Sequence, residues 1–134
     1  MSSVFFDTNV WLPAVLTRGF TRRLVTAAEL QGTVFISSEL VDEVVEKLAL
    51  KFQTSWETIR DAKAWMRKIG RPFSAAVAPF VESPDPDDAI LLAQAVAAGC
   101  EHFVTNDKPL LKLGVIREMK IIRPGDFATL IGVT

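Results

Sequence analysis

Four stretches of this chain put acidic side chains where a carboxylate has chemistry to do. Asp7 follows the apolar run Val4-Phe5-Phe6 and opens Asp-Thr-Asn-Val. An acid at the end of a buried strand is a poor packing choice, because Asp is disfavoured in strands. Further acids gather at Glu39, Asp42, Glu43 and Glu46, at Asp85, Asp87 and Asp88, and at Asp107. Two carboxylates ~4 Å apart repel by about 4 kcal/mol at an effective dielectric near 20. A group of them therefore takes up a proton or holds a cation. Oxygen donors without thiolate or imidazole select Mg2+ or Mn2+ over zinc or copper. Such an ion activates water and offsets charge on phosphate, so the implied reaction is metal-assisted hydrolysis of a phosphodiester.

Each acid also has an ordinary explanation. Asp88 falls in the first turn of an expected helix, where a negative charge is favoured by ~0.3–1 kcal/mol without any function. Asp107 is placed to cap a short helix containing Lys108 and Pro109. Helical spacing does not separate Glu43 from Glu39, Asp42 or Glu46. The main apolar stripe there is Val41, Val44, Val45 and Leu48, which leaves Glu43 beside Leu40, Lys47 and Leu50 on a mixed stripe that borders a cleft. Asp7 is the hardest to explain away.

The elements that must position these acids alternate between strand and helix. Val4–Phe6 reads as a strand buried on both faces. Helix follows from about Asn9 to Gln31, with a break near Pro13 or Gly19, and Gly32 ends it. Val34–Ile36 is a second buried strand, after which Ser37 or Ser38 caps a helix running to about Phe52. A third helical segment starts at Thr54 or Ser55 and ends around Gly70. The stretch from Arg71 to Asp85, with Pro72, Pro79 and Pro84, reads as a loop holding at most one short extended piece. Asp85-Pro86 opens an apolar helix that stops at Gly99. Phe103-Val104 is a third strand, a short helix starts at Lys108, Lys120–Ile122 is a fourth strand, and Pro124 starts the last helix, in which Asp126 is a helix-start residue. This order predicts a three-layer α/β/α sandwich with a central, mainly parallel sheet. In such sheets ligands bind beyond the carboxyl ends of the strands, the edge to which Asp7 and Asp107 both belong.

Bulk properties narrow the class. The 134 residues are 49% apolar and 23% charged, with net charge -1, which suits one folded domain spanning 1–134. A near-neutral chain attracts a polyanion only through a local patch. Between Lys47 and Arg71 there are seven basic residues against Glu57 and Asp61, and Arg18, Arg22 and Arg23 form a second cluster. Lys47, Lys51, Arg22 and Arg23 are candidate RNA contacts, and Trp56, Trp65 and Phe73 are candidates for base stacking. Cys100 and His102 are each single, which leaves no disulfide or zinc pattern. His102 reads as a structural residue at a strand start. With no signal-peptide pattern and no ~20-residue apolar run, a cytoplasmic location without membrane association is expected.

Four segments together resemble the PIN-domain ribonucleases, including VapC-type toxins of prokaryotic toxin–antitoxin pairs. They are Val4-Phe-Phe-Asp7-Thr-Asn-Val, Ile36-Ser-Ser-Glu-Leu-Val-Asp-Glu43-Val, Asp85-Pro-Asp-Asp88-Ala-Ile-Leu-Leu-Ala and Phe103-Val-Thr105-Asn-Asp107-Lys-Pro. The ending, Ile121-Ile-Arg-Pro124-Gly-Asp-Phe127, is also similar, so the resemblance covers nearly the whole length in order.

The resemblance implies that Asp7, Glu43, Asp88 and Asp107 are both the catalytic and the metal-binding set, and it is the resemblance that chooses Glu43. It makes Thr8, Asn9 and Thr105 supporting residues that orient carboxylates or a bound water. Asp85 and Asp87 are candidates to share or replace the role of Asp88. The expected cofactor is Mg2+ or Mn2+ and the expected substrate is RNA. A small antitoxin protein is the expected partner, with Arg22 and Arg23 among its candidate contacts. A homodimer is also expected, from the resemblance and from three Trp in a short chain. Two rival readings stand beside this one. The first is phosphoryl transfer through Asp7, disfavoured because Asn9 occupies the place of a second Asp. The second is a catalytically inactive PIN-like module that binds protein or RNA.

Overall fold

The structure, a computed structural model, describes residues 2–75, 77–78 and 85–134. The chain opens with β1 (Ser2–Phe6), α1 (Thr8–Leu16), α2 (Phe20–Gln31) and β2 (Gly32–Ile36). It continues through α3 (Ser38–Leu50), α4 (Trp56–Ile69), β3 (Arg71–Pro72) and α5 (Pro86–Ala97). It ends with β4 (His102–Val104), α6 (Lys108–Leu113), β5 (Val115–Ile116), β6 (Met119–Ile122) and α7 (Pro124–Ile131). Among the described residues the strands form one sheet in the order β3-β2-β1-β4-β6-β5. Every pairing is parallel except that of β5 with β6. With helices flanking it, this is the mainly parallel sandwich expected from the sequence.

The strand order matters for the site. From β1 the chain passes to β2 on one side, whereas β4 lies on the other. Neighbouring connections diverge there, opening a crevice at the carboxyl ends of β1 and β4. The central strands are pinned by aromatic packing. Phe5 stacks on its cross-strand partner Phe103 with ring centroids 5.7 Å apart. Phe6 meets Trp11 and Phe127 edge-on at 6.0 and 5.7 Å. All five rings are fully buried, and each such burial stabilises the fold by about 1.5–3 kcal/mol. The end of β1 is thus held fast one residue before Asp7.

Several local expectations are sharpened. The helical break falls at Thr17–Gly19, while Pro13 stays inside α1. Thr17 closes α1 by donating its backbone N–H and its hydroxyl to the Pro13 carbonyl, at 3.0 and 2.9 Å. Gly32 caps α2 and begins β2, and a Cβ there would stand 1.9 Å from the Ser2 carbonyl oxygen, so only glycine lets the two strands pair. Ser37 caps α3 and Ser55 caps α4, each accepting a hydrogen bond from a backbone N–H three residues on. Val115–Ile116 forms an antiparallel edge strand that the sequence pattern did not reveal. The one short extended piece expected after Arg71 is β3, beside β2. Pro79 and Pro84 lie outside the described residues. No helix among those described is long and apolar enough to cross a membrane.

Leu40 corrects an expectation. It is fully buried rather than bordering a cleft, because α3 is packed by both α1 and α4. Its covered face is therefore broad enough to take in Leu40, Val41, Val44 and Leu48.

Candidate metal-binding nuclease site

Asp7 sits at the N-cap of α1, directly after β1, and is 3% exposed. Its Oδ1 accepts the Thr8 N–H at 2.8 Å. Its Oδ2 accepts the Thr105 hydroxyl at 2.7 Å and the Asn9 side-chain amide at 3.3 Å. The Thr105 oxygen in turn accepts from that Asn9 amide at 3.3 Å and from the Asp107 N–H at 3.0 Å. The Asn9 carbonyl oxygen accepts the Asn106 N–H at 3.1 Å. This net ties the end of β1 to the end of β4, and its members are Thr8, Asn9 and Thr105, the supporting residues expected from the sequence.

Asp7, Glu43, Asp88 and Asp107 all line one cleft of about 380 Å³ at this end of the sheet, with Asp85 and Asp87 on its walls. Glu43 reaches it from the second turn of α3 and pairs with Lys47 at 3.5 Å. Asp88 comes from the first turn of α5. Asp107 occupies the N-cap position of α6, yet its side chain makes no capping hydrogen bond. The ordinary explanation for Asp107 therefore fails. It holds instead for Asp85, whose carboxylate caps α5 by accepting the Asp87 N–H at 2.9 Å. Glu46, which the sequence left level with Glu43 in helical spacing, and Asn106, which it did not mark as a candidate, also line the cleft. Their signals were faint: Glu46 lies one turn beyond Glu43, and Asn106 sits between Thr105 and Asp107.

Gathering the acids perturbs them. Burial pushes Asp7 up from the usual 3.8 to about 6, against the hydrogen bonds from Thr105 and Thr8, with Glu43 and Asp107 adding to the rise. Asp88 goes up to about 7, through burial first and then the charges of Asp7, Asp85, Asp107 and Glu43. A carboxyl that holds its proton near neutrality through burial, with like charges facing it, has the environment of a cation site. The donor set is all oxygen, which fits a hard divalent ion. The Thr8 hydroxyl oxygen is buried beside it without a partner. The acids do not stand ready-made around a point: among the described residues no three His, Cys, Asp or Glu side chains are grouped closely enough to hold a metal ion.

The other candidates divide between the cleft and other surfaces. Lys47 lines the cleft, and Lys51 follows the last turn of α3. Arg22 is engaged in packing, with its guanidinium 4.3 Å from the centre of the Trp65 ring and a 3.4 Å hydrogen bond to the Ala14 carbonyl. With Arg23, Arg18 and the exposed Leu30 it lines a separate groove of about 530 Å³ on α2. Trp65 also packs edge-on to Trp11 at 5.8 Å. His102 opens β4 against Phe127, ring centroids 5.6 Å apart, and burial lowers its pKa, as suits a structural residue. Asp126 lies in the first turn of α7.

Comparison with known proteins agrees with this fold. No curated protein matches the sequence. Among solved structures, a chain of VapBC2 from Rickettsia felis, crystallised bound to a DNA fragment from their promoter, has a similar fold. Its TM-score is 0.68 at 12% identity, covering 90% of this chain and 98% of that one. A family model described as PIN domain matches residues 3–109, which takes in all four acids. The chain belongs to the PIN domain family.

Proposed function

We propose that this protein is a divalent-metal-dependent ribonuclease that hydrolyses RNA phosphodiester bonds, with Mg2+ or Mn2+ held by Asp7, Glu43, Asp88 and Asp107. The observation that carries the reading is the burial of Asp7 among three other acids, with Asp7 and Asp88 both raised toward neutrality. That arrangement costs stability unless a cation offsets it. Membership of a nuclease family supports the same conclusion.

When bound, such an ion offsets charge on the scissile phosphate and acidifies water. The chain's own residues do the rest. Thr105 and Asn9 hold the Asp7 carboxylate in one orientation through Oδ2, and Thr8 holds Oδ1. Thr105 also fixes the Asp107 backbone, so the two acids keep their relative placement. Asp88, raised to about 7, would hold the ion through its carboxylate together with Asp7, Glu43 and Asp107, which line the same cleft. Asp85 acts as the helix cap rather than as a replacement for Asp88.

The biological setting we propose is the toxin of a type II toxin–antitoxin pair, a single domain that pairs with a small antitoxin and forms a homodimer. The fold shared with a VapBC2 chain supports the antitoxin partner. The α2 groove with Arg18, Arg22, Arg23 and Leu30 is our candidate for the antitoxin contact. Co-expression with the product of a short neighbouring gene should give a stable complex and relieve growth arrest. Substitution of Arg23 and Leu30 should weaken that complex.

The enzymatic reading is tested by incubating the purified protein with single-stranded RNA. Cleavage should need Mg2+ or Mn2+, stop with EDTA, and be lost in Asp7→Asn. RNA binding without turnover under either metal would favour a non-catalytic module.

A further inference from the structure

Beyond the cleft, one stripe of α3 continues toward a second surface. Glu43, Lys47 and Lys51 are spaced by four residues and share a helix face. Lys47 lines the cleft, and Lys51 lies four residues further, about 6 Å along the axis. Where the helix ends, two large rings stand in solvent: Phe52 is 43% exposed and Trp56 64%. Each carries a cation. Lys51 Nζ lies 5.7 Å from the centre of the Phe52 ring, and the Arg60 guanidinium lies 4.9 Å from that of Trp56. The other tryptophans differ, since Trp11 is fully buried and Trp65 is held between Trp11 and Arg22.

We propose that Trp56 and Phe52 form a base-stacking platform for the single-stranded RNA that occupies the cleft, with Lys47, Lys51 and Arg60 meeting its phosphates. The platform rests on the ribonuclease reading for its substrate. Exposed aromatic faces flanked by cations are what sequence-tolerant single-strand binding needs, because every base has a face to stack and every nucleotide a charge to neutralise. The same residue types also make hot spots between proteins. RNA is favoured by the sign of the flanking charges and by the continuity of the stripe with the cleft. Arg60 also pairs with Asp61 at 3.4 Å, but both side chains are exposed, so the pair is weak and yields readily to a phosphate. Stacking on Trp56 and Phe52 reads no base edge, so this surface anchors the strand without selecting its sequence.

The test follows the fluorescence anisotropy of a 5′-labelled oligouridine of about ten nucleotides while it is titrated with the protein in EDTA at low ionic strength. Binding is expected, with affinity about tenfold weaker in Trp56→Ala and restored to within about threefold in Trp56→Phe. In Mn2+, kcat/KM for the same oligomer should fall in parallel. Because Trp56 is exposed, an unchanged melting temperature verifies that the variant folds. RNA affinity and cleavage indifferent to Trp56→Ala and Phe52→Ala overturn the platform. So does a Trp56→Ala protein that loses a self-association or partner contact in sedimentation while binding RNA as before. Trp56-dependent RNA binding with no cleavage under any metal upholds the platform and sinks the ribonuclease reading instead.

Discussion

Asp88→Asn should make the metal-free protein more stable at pH 8 and less able to bind metal. Asp88 is raised from 3.8 to about 7 in the folded protein, so the folded state holds that proton more tightly than the unfolded state. Stability therefore falls as pH climbs from about 4 through 7, and the whole deficit is present above that range. Three decades of proton affinity correspond to about 4 kcal/mol. Asp88 is only partly buried, and solvent screening cuts this to roughly 1–2 kcal/mol. Losing a charge from the first turn of α5 returns ~0.3–1 kcal/mol. The net expectation is a metal-free variant about 1 kcal/mol more stable than the parent at pH 8, or roughly 3–5 °C in melting temperature, with no gain near pH 4. The assay is thermal melting in EDTA across this pH range, then again with Mn2+. A metal at 100 times its Kd adds about 2.7 kcal/mol to whichever protein binds it, so the order of stability should reverse on adding Mn2+. A metal-free variant that melts well below the parent at pH 8 would mean that Asp88 is a helix-start residue and nothing more.

Four other substitutions separate structure from chemistry. Thr105→Val removes the hydroxyl shared by Asp7, Asn9 and the Asp107 N–H. It should cost about 1–3 kcal/mol in denaturant melts by stranding a donor, and should raise the pH at which activity appears, since the Thr105 bond lowers the Asp7 pKa. Asp85→Ala should lower stability by about 1 kcal/mol through loss of the α5 cap while leaving metal-dependent cleavage detectable. Asp107→Ala loses no capping bond and should remove cleavage with little change in the metal-free melt. Gly32→Ala forces a methyl group into the Ser2 carbonyl and should destabilise the protein by at least ~1–3 kcal/mol, read as a lower urea midpoint at unchanged slope.

Asp7 was legible in the sequence because burial of Val4–Phe6 leaves an acid no packing excuse at the strand end. Alternation of strand and helix was enough to put Asp7 and Asp107 at one edge of a parallel sheet. Glu43 was not legible in this way, since four acids on α3 share the helical period and only similarity to a family separates them. Leu40 was misassigned because sequence periodicity cannot tell a helix covered by one neighbour from a helix covered by two. The strand at Val115–Ile116 escaped because two residues carry no alternation to read. Arg22 looked like a phosphate contact, yet its guanidinium packs on Trp65, an encounter between residues far apart in the chain.

Cleavage of a defined single-stranded RNA by the purified protein, compared across EDTA, Mg2+, Mn2+ and the Asp7→Asn variant, tests the central claim most directly. The expected result is scission with Mg2+ or Mn2+ that vanishes both on chelation and on neutralising Asp7 alone. Scission that persists in EDTA, or that the Asp7→Asn protein performs as well as the parent, would contradict it.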